Sequence, residues 1–513
     1  MAVSRRGRAG TDDTSSSTAG PRHLAALCQR LRAAGEVLGL PAPPSGDDGG
    51  LATTASRWFG RLVELVHGRP GTEELWLLMT AVSGAMPDPE ELLDGVRARD
   101  LTDTGGFGRW LLEAGYEAAG ARGSAGLEMD VVAGGVVVDV DFAARHELHT
   151  GIQRVVRETV PRWHRQHDIT LVAWTGPGGA MRRLTAVEED RILRWQERDG
   201  SEWDESECDD VESSARIVVP WRSDVLLPEY PYPEHCPMLA ALSLYSGSTL
   251  GLVGYDAIPL ISPDLIHAGL PDRFMRYLQA VKHASRVAGI SAAATEEFRG
   301  FGEMLAAQGL TGPVVTECAL PVEVPAGAPV AQADPPLVVS VGSFEPRKNQ
   351  LAVLHAAEHL WRDGLDFRLE FIGGGGYATE FDPLMARLRA AGRPVRRRNA
   401  ITDDELWATI RSARFSAFLS LHEGFGLPVA ESLACGTPCL TSDYGSTREI
   451  ADGGGALVVD PLDDEAVATQ MRRLLTDDAL VAGLREQAAN RPPRTWDDYA
   501  RDLWDTLLPG GRR

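Results

Sequence analysis

Lysine is nearly absent from this chain. Of 51 basic residues only two are lysines, Lys282 and Lys348, so arginine stands almost wherever either cation will serve. A lysine kept against that bias marks a place where a compact ammonium is wanted rather than a planar guanidinium. Two lysines must fall somewhere, but Lys348 falls beside Arg347 in a strand–loop–helix segment, which favours a role. An excess of positive charge is absent too. The formal net charge of −22 excludes a general nucleic-acid binder or anionic-membrane binder. Paired cysteine motifs are missing: Cys28, Cys208, Cys236, Cys318, Cys435 and Cys439 form no C-x-x-C and no zinc-ligand spacing, so reduced thiols are expected. No run of 18 apolar residues occurs, and MAVSRRGRAGTDDTSSSTAG at the start has no apolar h-region. A cytoplasmic protein is expected. What is present is length: 513 residues suffice for two or three domains with cores of their own.

The most informative stretch is FSAFLSLHEGFGLPVAESLACGTPCL, residues 415–440. Phe415 to Ser420 is an apolar run expected as a strand buried on both faces. His422 to Gly426 is a Gly-punctuated loop, Pro428 suits the first turn of a helix, and Gly436 stops it. Thr437 to Ser442 reads as the next strand, completing a βαβ unit. Glu423 sits in the loop, and Glu431 is expected in the first turn of the helix. A helix N-terminus offers unpaired N–H groups and partial positive charge to a phosphate. Glu423 would then face the group attached to that phosphate, and Glu431 would accept from hydroxyls of a bound nucleoside. One glutamate in such a unit is most often a solvated side chain, but the pair inside EGFGLPVAE followed by ACGTP is a more specific pattern.

HEGFGLPVAESLACGTPCL resembles the E-x7-E signature of retaining glycosyltransferases of the large group called family 4, or glycosyl transferases group 1. The likeness is strong from about Val338 to Asp460, looser back to about Val136, and does not cover the helical first part. It implies an α/β fold of two facing Rossmann-like domains, the GT-B fold, with an extra N-terminal helical region. On this reading residues 1–20 are a disordered tail and 21–125 a helical extension. Residues 130–325 form the acceptor domain, 335–490 the nucleotide-sugar domain, and 491–513 a crossing helix and tail, with Trp496 as its anchor. The Pro/Ala-rich stretch 326–336 is the expected linker. The role of 21–125 is open, with a packing or docking appendage the simpler reading.

The resemblance also implies roles. Glu423, Arg347 and Lys348 are the catalytic set, the two cations clamping a diphosphate. Glu431, Gly342, Gly424, Phe425, Gly426, Leu427, Asn399 and Ile401 border the donor nucleotide, and Gly445 to Glu449 lie near it. Gly151 and Arg154, in HTGIQRVV, lie on the sugar and acceptor side with Tyr255 and Asp256, although an exposed place on the helix is as good a reading of Arg154. In GYDAIPL the family often has a histidine where Tyr255 stands. A phenol still hydrogen-bonds a sugar hydroxyl but is larger and neutral. A nucleotide-diphosphate sugar is then a co-substrate, a hydroxyl compound the acceptor, and no cofactor is needed. Nucleic acid is not a partner; peripheral membrane contact, oligomeric state, donor sugar, base and acceptor stay open.

Several local patterns carry their own expectations. VVAGGVVVDVDF reads as one buried strand from Val131, and Asp139 and Asp141 as solvated acids at its end rather than a metal site, so no metal is expected. Residues 186–213 are acid-rich and read as a surface insertion. A helix is expected around Arg273 to Arg286. In LVVSVGSFEPRKNQ, Leu337 to Val341 is a strand, Gly342 allows close backbone approach, and Asn349 stands at an N-cap. FIGGGGYATEF offers Gly373, Gly375 and Ala378 in a loose dinucleotide fingerprint, with the arginines of GRPVRRRNAI available to an extra phosphate. That keeps an NADP-dependent oxidoreductase as the alternative, beside a catalytically silent carbohydrate-binding relative.

Overall fold

A helical block opens the chain, and from Met129 onward apolar runs and amphipathic stretches alternate as an α/β fold. The computed structural model describes residues 16–43, 50–122, 124–148, 150–176, 178–195, 216–327, 330–375, 380–399 and 401–510. Five helices come first: α1 (Ser16–Val37), α2 (Leu51–His67), α3 (Glu73–Ser83), α4 (Pro89–Leu101) and α5 (Thr104–Arg122). Helix α1 already begins inside the stretch expected as a tail. Asp88 caps α4 through a reciprocal capping box with Glu91, just before Pro89. Buried Arg30 of α1 fastens the helical block, donating to the carbonyls of Ala81 (2.8 Å) and Leu127 (2.6 Å).

The chain continues through β1 (Met129–Ala133), β2 (Val136–Asp139), α6 (Asp141–Arg145), α7 (Gly151–Gln166), β3 (Ile169–Trp174), β4 (Met181–Arg183), α8 (Ala186–Leu193), β5 (Ile217–Trp221), β6 (Asp224–Leu227), α9 (Cys236–Tyr245) and β7 (Thr249–Gly254). It divides into two compact units, Met1–Leu148 with Gln166–Gly251, and His149–Arg165 with Leu252–Arg513. In the first unit β1 pairs with β5, β5 with β4, β4 with β3, β3 with β2 and β2 with β6. Every pairing is parallel except the two made by β4.

Three expectations for this unit need correction. VVAGGVVVD is two strands, because Gly134 takes a left-handed φ of 68° and turns the chain between β1 and β2. Asp139 and Asp141 are not solvated but 4% and 5% exposed. Asp139 accepts from the Trp174 indole N–H (2.8 Å) and the Asp141 amide (3.1 Å), and Asp141 accepts from Arg145 (2.7 Å) and the Trp174 amide (2.8 Å). Nearby, Glu229 accepts from the Phe142 and Ala143 amides at the start of α6. Burial pushes the Asp139 carboxyl up to about 7, helped by the neighbouring Asp141 charge, and pushes Glu229 well above the usual range. Third, the acid-rich segment opens with a packed helix. Thr185 caps α8, and Glu188 forms a buried two-pronged pair with Arg182 (2.7 Å and 2.7 Å). The rest of that segment, with Cys208, lies outside the described residues.

The second unit contains α10 (Ile258–Ile261), α11 (Leu270–His283), β8 (Arg286–Gly289), α12 (Ala292–Ala306), β9 (Val314–Glu317), β10 (Leu337–Val341), α13 (Gln350–Arg362), β11 (Arg368–Ile372), α14 (Phe381–Ala390), β12 (Val395–Arg398), α15 (Asp403–Ser412), β13 (Phe415–Phe418), α16 (Leu427–Ala434), β14 (Cys439–Ser442), α17 (Gly445–Asp452), β15 (Ala456–Val459), α18 (Asp464–Thr476), α19 (Asp478–Ala489) and α20 (Trp496–Leu507). Helix α11 starts three residues before Arg273, and Arg286 already belongs to β8. Strands β10 to β15 form a parallel sheet in the order β12-β11-β10-β13-β14-β15. That is the order of dinucleotide-binding sheets, with its reversal between β10 and β13. Val338 packs into the core holding α13 and α18, while Leu337 and Val339 pack against Trp407 and Ile410 of α15. A strand covered on both faces needs the unbroken apolar run seen in the sequence.

Candidate functional site

The site grows from the two loops that leave β10 and β13 at the reversal point. Gly342 ends β10 with φ 146°, and Gly373 ends β11 with φ 155°. A Cβ on Gly373 would sit 2.0 Å from the Gly342 carbonyl oxygen, so only glycine lets the two loops run this close. The chain then makes a single 3-10 turn at Pro346–Lys348, which delivers Arg347 and Lys348 side by side. Asn349 is not the side-chain cap expected. It adopts a left-handed φ of 50° and donates instead to the Pro461 carbonyl (2.9 Å).

Both cations meet Glu423. Arg347 donates to Glu423 Oε2 (2.9 Å) and to Glu345 (2.7 Å), while Lys348 Nζ donates to Glu423 Oε1. Ser420 adds a hydroxyl bond to the same oxygen (2.6 Å). The loops are also laced through the backbone, since the Leu421 amide and the Ser420 hydroxyl both donate to the Arg347 carbonyl (2.6 and 2.9 Å). Burial alone would raise the Glu423 carboxyl. Lys348 and Arg347 outweigh it and hold that carboxyl below the usual range. For Lys348 burial wins over Glu423 and its pKa falls, whereas Glu423 and Glu345 overcome burial at Arg347 and raise it. The ammonium lies over the Phe418 ring at 5.2 Å.

Gly424 and Gly426 set the path out of this knot. A Cβ on Gly424 would lie 2.2 Å from the Tyr255 carbonyl oxygen, and Ser291 donates to the Gly424 carbonyl (2.6 Å). Gly426, at φ 102°, starts α16, and Phe425 packs against Phe418, Val429 and neighbours. Leu427 faces Gly151, the first residue of α7. Asp256 follows Tyr255 and accepts from the Ile258 amide (3.1 Å). Burial, with help from the Glu297 charge, pushes its carboxyl up to about 6.

Glu431 is the fifth residue of α16 and therefore in its second turn, not its first. It is buried, and Arg154 reaches it at 2.6 Å. Arg154 is thus a half-buried partner of Glu431 rather than a solvated helix residue. Burial raises the Glu431 carboxyl and Arg154 opposes that shift. Ile401 packs near Trp407 and Cys435. Asn399 is exposed and accepts from Arg397 (3.0 Å). Of the arginines expected to take an NADP phosphate, Arg393, Arg397 and Arg398 have partners within the chain. Arg397 bonds Asp382 and the Gly375 carbonyl, and Arg398 bonds Glu405. Ala378 of the loose fingerprint lies outside the described residues.

A second ring of groups lies beyond these residues. His422 lies 2.7 Å from Glu297 and 2.9 Å from the Ser262 hydroxyl, and Glu297 also accepts from the Ala257 amide (2.5 Å). Burial lowers the His422 pKa but Glu297 more than restores it, so it ends above the usual value. Glu449 accepts from the Ala292 and Ala293 amides (3.0 and 2.6 Å) at the first turn of α12. His422 directly precedes Glu423, which was the one available signal.

The second unit is therefore a nucleotide-type sheet with two cations and a carboxylate joined at its reversal point. Residues 327–491 match the family described as Glycosyl transferases group 1. Among curated relatives, the serotype-specific mannosyltransferase WbdA of Escherichia coli is 25% identical over 342 residues, covering 62% of this chain and 38% of WbdA. The D-inositol 3-phosphate glycosyltransferase of Streptomyces bingchenggensis is 30% identical over 186 residues, 34% of this chain and 41% of that protein. The chain thus spans about two fifths of the length of these relatives. Among solved structures, Anabaena HepE in complex with UDP and glucose aligns with TM-score 0.48 and 12% identity over 73% of this chain and 99% of that one.

Proposed function

We propose that the chain is a retaining glycosyltransferase that moves a hexosyl group from a nucleotide-diphosphate sugar to a hydroxyl acceptor without a metal ion. The observation that carries this reading is the joining of Arg347, Lys348 and Glu423 at the reversal point of the sheet. The barrier to such a transfer is departure of a nucleoside diphosphate and the positive character left on the sugar ring. Arg347 and Lys348 stabilise the leaving phosphates, while Glu423 keeps the two cations in place and offers negative charge towards the ring. Glu431 takes ribose hydroxyls. Gly342, Gly424, Phe425, Gly426, Leu427, Asn399 and Ile401 border the nucleotide, and Gly151, Arg154, Tyr255 and Asp256 lie on the sugar and acceptor side. Asp256 is close enough to feel the charges of Arg347 and Glu423, which supports placing it beside the reacting groups. The mannosyl and glycosyl transfer named for the relatives supports the hexosyl class.

The test is a panel of uridine, guanosine, adenosine and thymidine diphosphate sugars, following release of nucleoside diphosphate with and without a chelator. The expected result is turnover of at least one donor, unchanged by chelation, with an α-linked donor giving an α-linked product by NMR. Glu423→Ala and Lys348→Ala are each expected to cut the rate by roughly 10²–10³. Silence with every donor, or variants equal to the parent, would overturn the proposal.

A further inference from the structure

Arg154 sits at the start of α7, 277 positions before Glu431, yet its guanidinium is held from three sides. It donates to Glu431 Oε1 (2.6 Å) and to the Glu323 carbonyl (3.1 Å), and it lies 5.8 Å from the centre of the Trp496 ring. Glu323 returns to the same helix end, since its carboxylate accepts from the Trp496 amide (3.3 Å). Trp496 is 2% exposed and opens α20, which α7 also grips through the Trp163 indole bond to the Ala500 carbonyl (2.8 Å). The guanidinium is therefore fixed before any ligand arrives, and through it so is the Glu431 carboxylate.

We infer that Arg154 is a positioning residue for the donor nucleoside: it aims the buried Glu431 carboxylate at the ribose hydroxyls. This rests on the proposed reading of Glu431. A carboxylate carries about four lone-pair sites, so one Arg154 bond leaves acceptors for a vicinal diol. A neutral carboxyl would present a proton there and match the diol poorly. The groups that act on Glu431 are Arg154 from α7, Asp403 from α15, and Cys435 one turn along its own helix, with Arg411 beside that thiol. Arg154 is the group among them that favours the charged form most directly. Without it, burial and Asp403 act unopposed, and the carboxyl takes up its proton at higher pH.

The experiment measures binding of uridine, guanosine and adenosine diphosphates, and of their 2′-deoxy and 3′-deoxy forms, to the full chain by calorimetry. The parent and the Arg154→Gln and Arg154→Lys variants are compared. For the base that binds, the parent is expected to prefer the ribonucleotide by roughly tenfold or more over a deoxy form, the worth of a hydrogen bond to a charged group. In Arg154→Gln that preference is expected to fall towards one. Its affinity is also expected to drop more steeply than the parent's as pH falls, with partial recovery of the preference in Arg154→Lys. A purely structural role would lower the melting temperature without changing the ribo-to-deoxy ratio. An unchanged ratio in Arg154→Gln, or tighter binding, overturns the inference while leaving the proposed function standing. Failure of the parent to bind any of the diphosphates overturns both.

Discussion

Two buried acidic clusters sit at strand ends in the two units, and they are built in opposite ways. In the first unit, Asp139, Asp141 and Glu229 gather around α6 with Arg145 as the bonded cation, their remaining needs met by amides and an indole. In the second, Glu423 meets both Arg347 and Lys348, and Glu345 meets Arg347 as well. The electrostatic result differs in sign. Burial carries Asp139 and Glu229 upward, whereas two cations overcome burial at Glu423 and carry it downward. The first cluster is an internal network in which burial carries Asp139 and Glu229 towards the neutral form. The second keeps charges of both signs ionised side by side, the condition for acting on a charged ligand. Acid content does not mark a site; the ratio of cations to acids does.

The sharpest way to break this contrast is to change the shape of one cation and not its charge. Lys348→Arg retains the charge ratio but puts a bulkier planar group in the space between Glu423 and the Phe418 ring. Its transfer rate is expected to fall by roughly 10² with the best donor from the panel, nearly as far as Lys348→Ala. A rate within threefold of the parent would refute the special need for an ammonium. The next test concerns stability. Because Asp139 and Glu229 have raised values, the folded state holds protons that the unfolded chain releases, so their contribution weakens as pH rises, for Asp139 through about 7. Glu423 behaves the other way: its contribution is present above its ordinary value of 4.5 and is lost as pH falls further. Glu229→Gln is expected to flatten the loss of stability with rising pH in denaturant melts. An unaltered slope would count against a protonated cluster. The smallest effect is expected at Glu297→Gln. The His422 imidazolium contributes fully below about pH 6.5 and the contribution is lost as pH rises through its raised value. The variant should therefore lose about 1 kcal/mol at pH 6 and little at pH 9, whereas equal losses at both would deny the charged pair.

Much of the second unit could be read from the sequence. The apolar runs at Leu337 and Phe415 are strands because both faces are covered, and glycines at 342, 424 and 426 stand where the backbone leaves no room or turns left-handed. Arg347, Lys348 and Glu423 were expected in one place from their positions in adjoining strand–loop–helix units, and the structure brings them together. Other features had no sequence signal. The meeting of His422 with Glu297 and Ser262, or of Arg154 with Glu431, depends on tertiary packing across 125 to 277 positions. Asp139 read as solvated because a strand-ending acid looks the same in sequence whether water or an indole meets it. Glu431 was misplaced by a turn because Pro428 fixes only the neighbourhood of a helix start, and Gly426 rather than Pro428 begins the left-handed entry.

The near absence of lysine has a further consequence once Lys348 is known to lie under a phenyl ring with its nitrogen bound. Proteases that cut after lysine have only two places to act in this chain, and the folded second unit shields one of them. Cleavage there requires the loop after β10 to come away from Glu423. Scission of this single peptide bond therefore counts openings of that loop, with no label or probe added to the protein.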